Sequence, residues 1–223
     1  FRAARRIWAK IMKDRFKVTD SKGLLCRFHT QTAGSTLQAQ QIDNNIVRTA
    51  IQATAAILGG TQSLHTNSKD EALSLPTEQS ARTALRTQQI LAYETGISDV
   101  VDPLAGSYYI ESLTDTIEAE VFKLIDKIDD LGGAIPAIEQ NFQQNEIANT
   151  SFEYQQAIEN QEQIIVGVNK YEPINIEQHS ELQKIDNDSI EDQLNRLKLF
   201  KKNRNNNNVK SALKKLKVSL TEN

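Results

Sequence analysis

Apolar residues recur at helical spacing in six stretches of this chain, and in two other places a short apolar run ends in a dense set of polar groups. Over residues 1–16, Ile7, Trp8, Ile11, Met12 and Phe16 fall on one stripe, which predicts an amphipathic helix with its basic residues on a solvated face. Residues 38–58 repeat the pattern with Ile42, Val47, Ala50, Ile51, Thr54 and Ile57, and Gly59-Gly60 stops it. A further helix is predicted from Thr77, just after Pro76, to Glu94, with Leu85, Leu91 and Ala92 in its buried face. Residues 99–111, with Pro103, Gly106 and the pair Tyr108-Tyr109, read as extended. A long helix over 113–131 follows, with Leu113, Ile117, Val121, Leu124, Ile128 and Leu131 on one side and Gly132-Gly133 at its end. Phe142, Ile147, Phe152 and Ile158 mark a fifth helical stretch, and Ile164 to Val168 reads as a short β segment. Asp188-Ser189-Ile190-Glu191 has the form of a capping box opening a sixth helix, to about Phe200.

The two apolar runs are Leu24-Leu25-Cys26 and Thr61 to Leu64, each read as a buried strand followed by a helix. A strand–loop–helix unit written twice is the pattern of an α/β fold, in which ligands gather at the carboxyl ends of the strands. Arg27, His29 and Gln31 are expected at one such end, and Ser63, His65 and Asn67 at the other.

Composition narrows the class. The 223 residues, 39% hydrophobic and 25% charged, are ordinary for a soluble globular protein, and the net charge of −3 gives no general reason to expect nucleic acid. The single cysteine, Cys26, excludes an intrachain disulfide and fits a reducing compartment. No signal-peptide pattern opens the chain and no apolar run reaches the ~20 residues of a membrane span. The chain starts without Met and in mid-helix, so it is expected to be a piece of a longer polypeptide.

Charge is unevenly distributed. From Glu111 to Asp130 seven acids face two lysines, which reads as a solvated outer face. Residues 196–217 hold nine Lys or Arg and no acid, interrupted by an Asn-rich run. That tail is expected to be a linker or partner-docking extension. Nucleic acid is the weaker alternative, because interleaved aromatics are missing.

Motif chemistry is sparse. There is no GxGxxG, Walker loop, HExxH or CxxC pair. His29 and His65, equivalently placed after successive strands, could share a hydrogen-bonding pocket, or a metal site with Glu71 as third ligand. Arg27 after an apolar run calls for an anion, either a ligand's or one in a buried salt bridge. Gln62 and Ser63 could bind a carbonyl or satisfy backbone groups. No Ser or Cys has an adjacent base arranged for nucleophilic attack.

The runs RFHTQTAGSTLQAQQIDNNIVRTAIQA, LGGTQSLHTNSKDEALSLPTEQSARTALRTQQI, DPLAGSYYIESLT and IIVGVNKY resemble the adenosylcobalamin-dependent acyl-CoA mutases, from Phe1 to about Tyr171 and weakly through the helix near Asp188. The resemblance implies the carboxyl-terminal portion of a (β/α)8 barrel over 1–171, with a helical, basic, Asn-rich extension over 172–223. It implies a radical carbon-skeleton rearrangement of acyl-CoA, with methylmalonyl-CoA and succinyl-CoA as the leading pair. Isobutyryl-CoA or 2-hydroxyisobutyryl-CoA mutation is the alternative within the family, and a non-catalytic assembly or docking fragment the alternative outside it. By matching position, Arg27, His29, Gln31, Gln62 and Ser63 are similar to substrate-side residues. Gly34, Glu71, Ser74, Leu75 and Gln155 are similar to corrin contacts. The implied partners are a cobalamin-binding domain or small subunit, a second mutase subunit and a GTPase chaperone. The implied location is the cytoplasm, or the mitochondrial matrix in a eukaryote.

The departures also matter. The family's cobalt-ligating Asp-x-His-x-x-Gly is not in this sequence, where His179 stands in Glu-Gln-His-Ser-Glu, so the cobalt ligand is expected elsewhere. The family's acyl-selecting tyrosine and arginine are expected upstream of Phe1. The chain therefore reads as a fragment, or as a large subunit whose cobalamin domain is separate.

Overall fold

The computed structural model describes residues 1–174 and 182–221. His179, set aside above as a cobalt ligand, lies outside them. Two compact units emerge, Phe1–Leu182 and Gln183–Asn223.

The first unit opens with helix α1 (Arg2–Asp14), then strand β1 (His29–Gln31), a 3-10 turn (Gly34–Thr36), α2 (Asn44–Leu58), β2 (Ser63–His65) and α3 (Glu78–Glu94). Three further helices follow: α4 (Tyr108–Asp130), α5 (Ala134–Glu139) and α6 (Phe142–Glu159). β1 and β2 pair in parallel, with His29 opposite Ser63, Thr30 opposite Leu64 and Gln31 opposite His65. Parallel strands need a crossover, and α2 supplies it. The chain is thus mostly helical around one β–α–β unit, compatible with an α/β class; a closed barrel is not what these residues form by themselves.

Both strands sit later than their apolar runs. Leu24 lies in a turn and Leu25 is exposed, while the ladder is built from His-Thr-Gln and Ser-Leu-His. Thr30 and Leu64 point inward and are half-buried; His29, Gln31, Ser63 and His65 share the other, exposed face. The strand's chemistry therefore lies within the ladder and not only in the loop beyond it.

α2 and α3 pack through small and polar residues. Asn45, Thr49, Ala53 and Ala56 are buried along α2, and Ser80, Ala84, Thr87 and Leu91 along α3, both at helical spacing. The apolar stripe expected on α2 is not the buried one, since Val47 is 58% and Ile51 65% exposed. Likewise Leu85 is half exposed on α3. Small side chains let two helices approach closely, so the larger residues are turned outward.

Two solvated faces expected from charge are instead each other's partners. Arg2 bonds Asp102 and Glu111, Arg6 bonds Asp115 and Glu118, Lys10 bonds Glu118, and Arg15 bonds Asp129. These pairs join α1 to α4 and to the turn before it across more than 90 residues of sequence, and Thr114 and Glu118 are the buried positions of α4. The apolar residues of both helices, among them Ile7, Ile11, Leu113 and Ile117, line a groove of about 770 Å³.

Two local expectations also change. Tyr108 and Tyr109 form the first turn of α4 and not an extended segment. Residues 164–168 make a single bridge, Val166 to Lys170, around a turn.

The second unit contains α7 (Asn187–Asn203) and α8 (Asn206–Thr221). Asp186, two residues before the expected cap, accepts the Asp188 N–H at 3.1 Å and starts α7. The Asn-rich run breaks the helix for only two residues: Asn205 Oδ1 accepts the N–H groups of Asn207 and Asn208 and starts α8. The basic tail is helical, with Leu194 and Leu197 of α7 and Leu213 and Leu216 of α8 exposed.

Candidate functional site

The sequence candidates fall in two groups on the β1–α2–β2–α3 unit. The first is the exposed sheet face. His29 Nδ1 and Ser63 Oγ lie 2.8 Å apart on paired positions of the ladder, with Gln31 and His65 one step further along. The two histidines sit diagonally, not opposite each other. Among the described residues no three of the His, Cys, Asp and Glu side chains come together to hold a metal ion. Arg27 is exposed just before β1, so it is not part of a buried salt bridge. Gln62 is engaged by backbone: its Oε1 accepts the Phe28 N–H at 2.6 Å and its Nε2 donates to Gly60 O at 2.8 Å.

The second group lies where the two post-strand loops meet. A methyl group placed on Gly34 would stand 2.9 Å from Asn67 Nδ2, 3.1 Å from Glu71 Oε1 and 3.2 Å from Glu71 Cγ. A side chain there would have to displace Asn67 or Glu71. Asn67 is buried; its Oδ1 accepts from the Thr32 hydroxyl at 2.9 Å, and that hydroxyl accepts the Asn67 N–H at 2.9 Å. Asn67 Nδ2 has no hydrogen-bond partner among the described residues. The result is a small-residue turn with the exposed Glu71 carboxylate at its edge and the buried Asn67 amide packed behind it. An exposed carboxylate beside bare backbone can accept hydrogen bonds from a bound group.

Ser74 and Leu75 follow in the same loop, where the Ser74 N–H donates to Asp70 O at 2.9 Å and Leu75 is 58% exposed. Asp70 is buried and accepts the Thr77 N–H at 3.1 Å, and Thr77 caps α3 by accepting the Ser80 N–H at 3.2 Å. Gln155 is apart from both groups in its bonding: it lies exposed on α6 and donates to Glu159 at 2.9 Å.

The pattern of apolar residues conceals the supports of this site, which are polar. On α2, Gln52 Oε1 accepts the Ala33 N–H at 2.7 Å and its Nε2 donates to Thr36 Oγ1 at 2.7 Å, clasping the Gly34 turn. Arg48 and Asn45 lie on the same edge one and two turns earlier. Their signal in the sequence is the spacing 45, 48, 52 of hydrogen-bonding side chains inside an otherwise apolar helix.

Comparison with known proteins gives a consistent family. The family model for methylmalonyl-CoA mutase matches residues 1–223. The 2-hydroxyisobutanoyl-CoA mutase large subunit of Aquincola tertiaricarbonis is 42% identical over 216 residues, which cover 97% of this chain and 38% of that protein. Methylmalonyl-CoA mutase of Rhizobium meliloti (strain 1021) is 46% identical over 95% of this chain and 30% of its own length. Mitochondrial methylmalonyl-CoA mutase of Homo sapiens is 46% identical over 91% of this chain and 27% of its own. The chain thus spans about a third of the relatives it matches.

Proposed function

This chain belongs to the methylmalonyl-CoA mutase family, and from that membership we infer that the full-length protein containing it is an adenosylcobalamin-dependent isomerase of acyl-CoA, with methylmalonyl-CoA and succinyl-CoA as its leading pair. The observation that carries this reading within the structure is the approach of Gly34 to Glu71, two sequence-distant residues that meet at the carboxyl ends of adjacent parallel strands. The β1–α2–β2–α3 segment is two consecutive units of a (β/α)8 barrel that the rest of the polypeptide completes, over 1–171, with 172–223 as an extension.

The residues present suit the group. Gly34 keeps the backbone of the first loop bare, and the exposed Glu71 carboxylate borders it as an acceptor; Ser74, Leu75 and Gln155 extend that contact. When bound, adenosylcobalamin supplies the radical chemistry, and its cobalt ligand comes from a cobalamin-binding domain or small subunit. The exposed sheet face takes the acyl-CoA: Arg27 attracts its anionic groups, His29, Gln31 and Ser63 hydrogen-bond it, and Gln62 holds the strand beneath them. A second mutase subunit and a GTPase chaperone complete the assembly, in the cytoplasm or the mitochondrial matrix. No helix among the described residues is long and apolar enough to cross a membrane.

The 2-hydroxyisobutanoyl-CoA relative favours a second reading, a hydroxyacyl or isobutyryl substrate. Acyl-CoA chromatography on the full-length protein, given adenosylcobalamin and its cobalamin subunit, separates them. Succinyl-CoA converted to methylmalonyl-CoA supports the first reading. Turnover of isobutyryl-CoA or 2-hydroxyisobutyryl-CoA supports the second. No turnover of any of the three overturns both and leaves an assembly or docking role.

A further inference from the structure

Asn45 is fully buried on α2, where an apolar residue would be the usual occupant. All four of its hydrogen-bonding positions are used. Oδ1 accepts the Gln38 N–H at 3.0 Å and Arg48 Nη1 at 2.8 Å, while Nδ2 donates to Gln38 O at 2.8 Å and Lys69 O at 3.0 Å. Gln38 ends the segment that begins at Gly34, and Lys69 lies two residues before Glu71. One side chain therefore ties the loop after β1 to the loop after β2. Arg48 carries the tie outward by donating Nη2 to Val166 O at 2.8 Å.

Only a carboxamide can do this. An apolar isostere would leave the Gln38 N–H and two carbonyls without partners, and aspartate keeps the acceptor while losing both donors. The packing is close, since a methyl group on Gly34 would press on both Asn67 and Glu71.

We propose that Asn45 is a positioning residue for the cofactor rim: by joining the Gln38 and Lys69 backbones it sets the separation of Gly34 and Glu71. The inference deepens the reading of those two residues as corrin contacts and rests on it. The test uses full-length protein with its cobalamin subunit, as wild type, Asn45→Asp and Glu71→Gln. Amide hydrogen exchange is measured without cobalamin, adenosylcobalamin affinity by absorbance titration, and KM with methylmalonyl-CoA or the acyl-CoA found to turn over.

In Asn45→Asp, exchange should rise in peptides covering 33–40 and 67–75 and not elsewhere. Adenosylcobalamin should bind about tenfold more weakly, as expected for two lost hydrogen bonds, with acyl-CoA KM unchanged. Exchange rising throughout the protein, with both affinities falling together, would make Asn45 a packing residue only and overturn the proposal. So would unaltered cofactor affinity in Asn45→Asp where Glu71→Gln weakens it. If Glu71→Gln leaves the affinity unchanged, the corrin reading of the rim fails instead, and the proposal about the rim fails with it. Arg48→Lys, which retains Asn45 but cannot reach both acceptors with one fork, should give the same loop-confined exchange at smaller amplitude, and it serves if Asn45→Asp does not fold.

Discussion

His29 Nδ1 stands 2.8 Å from Ser63 Oγ, across the one position of the β1–β2 ladder where two candidate substrate residues face each other. The contact fixes the imidazole against the sheet and leaves Nε2 directed away from Ser63. Ser63→Ala in the full-length protein should release the ring and raise the acyl-CoA KM by roughly 5- to 10-fold, the worth of one hydrogen bond, with little change in thermal stability because the residue is exposed. Steady-state kinetics and a melting curve on the same variant decide it. An unchanged KM would remove the pair from the substrate face.

Gly34 gives a sharper result. Gly34→Leu cannot be accommodated where a methyl group already meets Asn67 and Glu71 at about 3 Å, so those side chains must leave the rim or the turn must move. Adenosylcobalamin binding, followed by its visible absorbance, should be lost while acyl-CoA still binds. Retained cofactor affinity would place the corrin elsewhere.

The α1–α4 ion pairs predict acid sensitivity. Lys10, and with it Arg6, hold the Glu118 carboxyl below its usual range, and Arg2 does the same for Glu111. A carboxylate depressed in the folded state contributes stability that is complete above its unfolded value of about 4.3 and is lost as pH falls through the folded value. The melting temperature of the full-length protein should therefore drop steeply as pH is lowered below about 4.3. Glu118→Gln should reduce that dependence and cost about 1–2 kcal/mol at pH 7, since it leaves Arg6 and Lys10 short of a partner. A pH profile indistinguishable from wild type would mean the pairs contribute nothing measurable.

Thr77 provides a contrasting case. Thr77→Ala removes the cap of α3, a loss of about 1 kcal/mol in chemical denaturation, with acyl-CoA KM unchanged. A raised KM would tie the Ser74–Leu75 loop to substrate binding as well.

How far the sequence could be read depends on which residues carried the signal. The helices α1, α3 and α6 follow from their apolar spacing, and the pairing of Gly34 with Glu71 in one group follows from the family resemblance. The strands were displaced because His29–Gln31 and Ser63–His65 are polar on the exposed face and offer only Thr30 and Leu64 inward. An apolar search settles on Leu24 to Cys26 instead. On α2 the same search selects the face of Val47 and Ile51, while the buried stripe is Asn45, Thr49, Ala53 and Ala56. The Arg2–Glu111 and Arg6–Glu118 pairs span more than a hundred residues, a separation at which charge composition says nothing about partners.

The order of those pairs along the chain, Arg2 with Glu111, Arg6 with Asp115 and Arg15 with Asp129, means that α1 and α4 point the same way. Their peptide dipoles then lie side by side with like ends together. Without α4, Arg2, Arg6 and Lys10 are like charges spaced four residues apart along one face, which opposes the helix they lie on. The carboxylates of α4 reverse that penalty. During synthesis or refolding the Arg2–Asp14 stretch should therefore settle fully only once α4 is in place.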